Sequence, residues 1–519
     1  MKTTLGLGGS LGVLLAMVEV TSALTLPVKG DFNQFVLDAK QVVDTDSLQQ
    51  YITEKGLSKR AAELYEIAKE SEAEYHHPTR VIGSKGHNGT IDYILNSLEE
   101  FGRDYYDVSL QAFSAISGSL FSSSLTIDGK NISEASALYM SPPTPDKKPV
   151  TAHLAISSND GCKPSDFGPE VNGSIVLIQR GNCPFGDKSE LAGLAGAVAA
   201  IIYNNVDGDN IPGTLGTPLG HEVPTMGLSK KLGDHFVEKV KHSSQSLNAT
   251  IVVDSQIDIV DTFNVIAESK RGDKGNVVML GAHSDSVAAG PGINDDGSGT
   301  ISLLEVAQAL TNFEVNNAVR FAWWSAEEEG LLGSDHYASN LPESENQKIR
   351  LFMDYDMMAS PNYAYQIYNA NNEDHPSGSG DLKQMYVDFY KSHGLNYTFE
   401  PFDGRSDYAG FLVAGIPSGG VATGAEGIKT TEEVALFGGN ASIAYDPCYH
   451  QLCDDLSNVD YDAWVINTKL IAHSVASYAK SFGSFPVRVK PEYGQVGVAS
   501  SSVSQSAMQF QYRGPYAIF

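Results

Sequence analysis

NVVMLGAHSDSVAAGPGINDDGSGTISLLEVAQALTNF, residues 276–313, decides the architecture. It opens on a continuous apolar run ending at His283, the pattern of a strand covered on both faces. A Gly-, Ser- and Asp-rich stretch follows, and then Leu303, Leu304, Val306, Ala307 and Leu310 recur at helical steps. The unit repeats downstream: NAVRFAWWSAEE (317–328) reads as a strand, GLLGSDHYASNL (330–341) as a helix and KIRLFMDYDMM (348–358) as a third strand. Strands alternating with covering helices imply an α/β fold with a doubly wound, mostly parallel mixed sheet. Ligands of such sheets bind beyond the carboxyl ends of the strands. His283, Glu327, Glu328 and Asp356 all fall on that rim, and Asp295 lies in the loop that follows the first strand.

Outward from this core the chain divides. Apolar spacing predicts a helix from Ser47 to about Glu74, and a second helix after the turn GSKGHNG (83–89), with Ile91, Ile94, Leu95, Leu98 and Phe101 on one face and Gly102 at its end. Between about Ser114 and Gln256 the composition shifts to Gly, Ser and Val, with strand-like runs SIVLIQRG (174–181) and AVAAIIYNN (197–205) and the breaker SPPTPDKKP (141–149). This segment reads as a separate, smaller α/β module inserted in the larger domain. The expected organisation is a signal peptide at 1–23, a pro-segment or linker at 24–50, the main domain in two parts at 51–125 and 257–484, the inserted module at 126–256 and an irregular tail at 485–519. A helix from Asp462 to Ser481 closes the main domain.

A chain of 519 residues supports more than one core. Its formal charge of −28 and pI near 4.7 argue against nucleic acid as a partner, which requires a clustered basic surface. The start, MKTTLGLGGSLGVLLAMVEVTSA, has a short basic beginning, an apolar stretch and small residues at Thr21-Ser22-Ala23, the signal-peptide pattern. No other run is long and apolar enough for a membrane span. Cys162 with Cys183, and Cys448 with Cys453, form two local pairs suited to disulfides in an oxidising compartment; neither has the CxxC spacing of a thiolate zinc site. Sequons at Asn88, Asn131, Asn172, Asn248, Asn396 and Asn440 fit glycosylation on the same route. The expected destination is secretion, with the vacuole as the alternative, and the expected state is a monomer.

The strand-end residues define a chemistry. Zinc takes imidazole nitrogen and carboxylate oxygen, and a catalytic zinc keeps a position for water. Two zincs about 3.5–4 Å apart need a bridging ligand, which a carboxylate supplies naturally with its two oxygens. A further carboxylate must stay off the metals to move the proton. GAHSDS (281–286), GINDDGSG (292–299), SAEEEG (325–330), MDYDMM (353–358) and PCYHQLCD (447–454) supply two histidines and several acids for such a site. Asp285 reads either as a turn residue or as the group that holds the free ring nitrogen of a metal-bound histidine. Spacing alone leaves open the choices between Asp295 and Asp296, among Glu327, Glu328 and Glu329, and between Asp354 and Asp356.

The motifs GAHSDSV, GPGINDDGSGT, FAWWSAEEEGLLGS, MDYDMMASPN, GRSDYAGF and YHQLCD, together with NGSIVLIQRGNCPFGDKSELAGLAGAVAAIIYNN (172–205), closely resemble the co-catalytic zinc aminopeptidases with an inserted protease-associated domain, of the fungal aminopeptidase Y and secreted leucine aminopeptidase type. The likeness runs from about Tyr75 to Ser481. It implies the zinc exopeptidase fold, two Zn2+ and peptide substrates with a free N-terminus. By the same likeness His283 and Asp356 hold one zinc, Glu328 and His450 the other, and Asp295 bridges them. Glu327 is implied as the general base toward a metal-bridging water, Tyr449 as the donor to the oxyanion, Arg405 as a residue orienting substrate backbone and Asp407 as support for its loop. Asp296 departs from the resemblance, since Asn is frequent there. The alternatives are a carboxypeptidase or dipeptidase on the same scaffold, whose pocket needs added Arg or Lys, a one-zinc cyclotransferase, and a metal-free receptor-like binding protein, which would have lost ligands.

Overall fold

The computed structural model describes residues 40–488, apart from 209–210, 212 and 244–245. The expected signal peptide, most of the segment 24–50 and nearly all of the expected tail lie outside the described residues. Among the described residues no helix is long and apolar enough to cross a membrane.

The elements that matter run in chain order as α1 (Glu54–Ala68), α2 (Lys85–Gly102), β1 (Tyr106–Ile127), β2 (Val150–Ile156), β3 (Ile175–Gln179), β4 (Ala199–Tyr203), β5 (Thr225–Leu228), β6 (Asn248–Ser269), β7 (Asp273–His283), α3 (Gly297–Leu310), β8 (Asn317–Trp324), β9 (Ile349–Tyr355), β10 (Gln366–Tyr368), β11 (Thr398–Glu400), β12 (Ser418–Ala422) and α4 (Tyr461–Lys480). The main sheet has the order β11-β10-β12-β9-β7-β8-β6-β1. Its centre is parallel: β7 pairs β8 and β9, and β9 pairs β12, all in one direction. β6 and β10 join in the opposite sense, which makes the sheet mixed. The buried apolar runs of β7, β8 and β9 have helices on either side, and α3 and α4 bury Leu303, Leu304, Leu310, Leu470, Ile471 and Val475 completely against them. Two of the buried indoles find acceptors, Trp323 Nε1 at Thr300 O (3.1 Å) and Trp464 Nε1 at Ser302 Oγ (2.9 Å).

β1 and β6 are each 22 residues long and pair antiparallel from Tyr106–Ser269 to Ile127–Ala249. At about 3.3 Å per residue this two-stranded ribbon is roughly 70 Å long. One end is the edge of the main sheet. The other pairs with β2 and so joins the inserted module, where β2, β3, β4 and β5 form a parallel row with its own apolar cores. Positions 125/126 and 256/257 both fall inside these continuous strands.

The first helices differ from the periodicity reading. The single helix expected over 47–74 is broken: Thr53 accepts from Gly56 N at 3.1 Å and starts α1 afresh, and a 3-10 turn at Lys69–Ser71 follows it. Within GSKGHNG only Gly83 and Ser84 stand ahead of α2; Lys85 to Gly89 are its first residues, capped by Ser84 Oγ accepting from His87 N at 3.1 Å. The glycines serve close packing: a Cβ on Gly86 would stand 2.1 Å from Thr79 O, and one on Gly89 2.8 Å from Ile67 Cγ2.

Candidate metal centre

The parallel strands deliver their last residues to one rim. β7 ends on His283, β8 leads into Glu327 and Glu328, and Asp356 follows β9 directly. Asp295 comes from the loop between β7 and α3, and His450 from the loop closed by the Cys448–Cys453 disulfide. The Asp295 carboxylate lies between the two imidazoles: Oδ1 is 3.2 Å from His283 Nε2 and Oδ2 is 3.1 Å from His450 Nε2. On the first side Asp356 Oδ1 is 3.7 Å from His283 Nε2, and on the second Glu328 Oε2 is 3.1 Å from His450 Nε2. Glu327 Oε2 is farther, 3.9 Å from His283 Nε2. His283, Asp295 and Glu328 are buried and form one set of convergent donor atoms, with His283, Asp296 and Asp356 a second. The Oδ1 of Asp356 is buried and lacks a hydrogen-bond partner in the chain. Two imidazoles and two further carboxylates around a shared acid, with a buried oxygen to spare, fit hard or borderline cations.

Electrostatics sort the acids. Burial pushes Asp295 upward, but its contacts with His283 and His450 win and hold it well below the ordinary carboxylate range. Burial also pushes Glu327 up, and Glu328, Asp356 and Asp407 add repulsion against the pull of His283, so its carboxyl lies well above the ordinary value. A carboxylate this reluctant to stay charged is suited to accept and return a proton.

The adjacent acids separate cleanly. Asp296 caps α3 through Gly299 N (2.8 Å) and also accepts from Met357 N (3.0 Å) and His283 N (3.2 Å), so its oxygens are committed to backbone. Glu329 turns away toward Ser117 Oγ at 3.4 Å on the ribbon. Asp354 is buried within β9 beside Asp407; burial and the neighbouring charge of Asp356 push it up to about 7. Asp407 is itself raised by burial and by Asp354. Asp285 Oδ1 is 3.7 Å from His283 Nδ1, beyond hydrogen-bond length, while its two oxygens accept from Glu327 N and Glu328 N at 3.3 Å each. It thus ties the strand end of His283 to the backbone of the glutamate pair.

Tyr449 stacks on the His450 ring with centroids 3.8 Å apart. Tyr449 and Asp356 border a cavity of about 360 Å3 that Tyr368, Phe399, Glu400, Tyr408, Glu426 and Tyr445 help to wall. Arg405 also lines it, and its Nη2 donates to Glu426 Oε1 at 2.9 Å. Cys162–Cys183 and Cys448–Cys453 are both bonded, and all six sequon asparagines are exposed.

Several supporting residues escape a sequence reading. Asp454 accepts from Asn294 N (2.9 Å) and Asp295 N (3.1 Å), and Asn458 bridges it to Asp446. Asp446 in turn accepts from the Asn294 side chain at 2.7 Å. His87, on α2, sets Nε2 3.1 Å from Ser284 Oγ and 3.3 Å from Ser325 Oγ, joining the ends of β7 and β8. Only Asp454 carried a signal, its place at the end of PCYHQLCD.

Comparison with known proteins adds a lineage to this geometry. The model for peptidase family M28 matches residues 264–475, and that for the PA domain matches residues 148–236. Aminopeptidase Y of Saccharomyces cerevisiae is 49% identical over 92% of this chain and 88% of its own length. Leucine aminopeptidase 2 of Trichophyton equinum is 43% identical over 93% and 97%. Among solved structures, an aminopeptidase from Aneurinibacillus sp. strain AM-1 matches with a TM-score of 0.68 at 27% identity, over 86% of this chain and 98% of that one. A zinc aminopeptidase from Bacillus subtilis matches with a TM-score of 0.61 at 26% identity, over 83% and 96%.

Proposed function

Because the chain belongs to peptidase family M28, we propose that it is a zinc-dependent aminopeptidase releasing the N-terminal residue of peptides. The observation that carries this reading is the Asp295 carboxylate, with one oxygen toward His283 and the other toward His450. That arrangement supports a centre of two zincs, one held by His283 and Asp356, the other by His450 and Glu328, with Asp295 between. Zinc at these positions supplies Lewis acidity toward water and toward the scissile carbonyl. Glu327 stays off the metals, takes the proton from the attacking water and returns it to the leaving amine. Asp285 fixes the backbone from which Glu327 and Glu328 project. Tyr449 donates to the oxygen on which negative charge develops. Arg405 orients the substrate backbone, and the cavity beside Asp356 receives the substrate's first residue.

A carboxypeptidase pocket would need basic groups aimed at a substrate carboxylate. Arg405 is paired with Glu426, and Lys429 is buried with Nζ donating to Tyr363 O at 2.6 Å. Arg405 is thus balanced by an acidic partner and Lys429 is held by backbone, which favours a substrate presenting an amine. The disulfides and exposed sequons support a secretory route ending outside the cell or in a vacuole. Hydrolysis of leucyl-anilide, with the N-acetylated analogue untouched, is the expected result. Preference for the blocked compound would reject the proposal.

A further inference from the structure

We propose that Arg80 is a positioning residue of the metal centre, clamping the loop that carries Asp295 against the strand end that carries His283. The inference rests on the metal reading above. Arg80 lies outside both segments matched by the family models and is completely buried. Its guanidinium donates in three directions: Nε to Pro291 O at 2.8 Å, Nη2 to Gly292 O at 2.6 Å, and Nη1 to Ser284 O. Its main chain adds two bonds to one residue, donating from N to Ser286 Oγ at 3.0 Å and accepting from Ser286 N at 3.3 Å. Residues 284–286 follow His283 directly, and residues 291–292 immediately precede the segment of Asp295. One side chain therefore fixes the two stretches whose relative placement sets His283 Nε2 beside Asp295 Oδ1.

The fit leaves no slack. Gly292 has φ +60, and a Cβ there would stand 3.0 Å from Arg80 Nη2 and 2.3 Å from Asp295 O. The charged groups that act on Arg80 are Asp285, Asp296, Asp454 and Asp295. An account based on charge alone and one based on position therefore diverge at lysine. Lysine keeps the positive charge, but its compact ammonium cannot span three carbonyls on two stretches, as the planar fork of arginine does.

The test compares the full chain with Arg80→Lys and Arg80→Met. Zinc affinity is read by competition with a chromophoric chelator, fold by circular dichroism, and Tm in excess chelator and in excess zinc. Loss of a partner behind metal ligands typically weakens binding by about 10–100-fold. Both variants should lose zinc affinity on that scale and show a smaller zinc-induced rise in Tm. A merely structural arginine would lower both Tm values equally and leave the zinc-induced rise intact, and that outcome overturns the inference. Wild-type affinity in Arg80→Lys also overturns it, because charge alone would then suffice. If neither variant folds, hydrogen exchange in the wild-type chain decides. Removing zinc should release the amides of Arg80 and Ser286 together with that of Asp295, and unchanged protection at Arg80 and Ser286 contradicts the clamp. A wild-type chain that takes up no zinc overturns the metal reading itself, and this inference with it.

Discussion

At the scale of single residues, the centre depends on side chains that differ only in what they touch. Glu327, Glu328 and Glu329 are consecutive, yet one lies 3.9 Å from His283, the next 3.1 Å from His450, and the third points to Ser117 on the ribbon. The ligand types were legible in the sequence, because hard donors at the ends of buried parallel strands converge by construction. His87 was not, since its ring hydrogen-bonds to two serine hydroxyls, which carry no motif of their own. Its imidazole is buried and pushed down to about 4 from an ordinary value of 6.5. Between those values the unfolded chain takes up a proton that the folded chain refuses, so this group's contribution to stability falls as pH drops through the window. The shift corresponds to roughly 3 kcal/mol at its limit. His87→Gln should therefore show a stability deficit at pH 7 that narrows by about that amount toward pH 4 in urea unfolding. A deficit that stays constant with pH would contradict the assignment.

At the scale of elements, β7, β8 and β9 were recognisable because strands covered on both faces must be continuously apolar. The ribbon of β1 and β6 was less so. Its strand pairing continues through the shift in composition that suggests a boundary near Ser114, and pairing register is a long-range property. α2 shows the converse error, since glycine reads as a turn unless the close neighbours at Thr79 and Ile67 are known. The loop bearing Tyr449 and His450 is held by the Cys448–Cys453 bond and by Cys448 N donating to Asp446 Oδ1 at 2.8 Å. Opening it should free the proposed zinc ligand His450 and the proposed oxyanion donor Tyr449 together. Cys448→Ser is expected to weaken zinc retention by about tenfold or more, as loss of outer support does, and to lower turnover with it. Unchanged zinc content after dialysis and an unchanged rate would show that the bond does not support the site.

At the scale of the molecule, segments far apart in the main domain's sequence meet at one rim. Arg80 and His87 come from the start of the described chain, His283 to Asp356 from the sheet, and His450 to Asn458 from the loop before α4. The sequence singles out the proposed ligands more readily than a support such as Arg80, which acts on backbone groups that every residue carries. The central claim is that two metals sit around Asp295 while Glu327 moves the proton. The most direct measurement is zinc stoichiometry and leucyl-anilide turnover, determined side by side for the wild-type chain and Glu327→Gln. The account predicts two zincs per chain in both proteins, and a fall in kcat of about 10²–10⁴-fold in the variant, the range for loss of a general base. One zinc or none in the wild-type chain, or a variant that keeps its zinc and its rate, would contradict it.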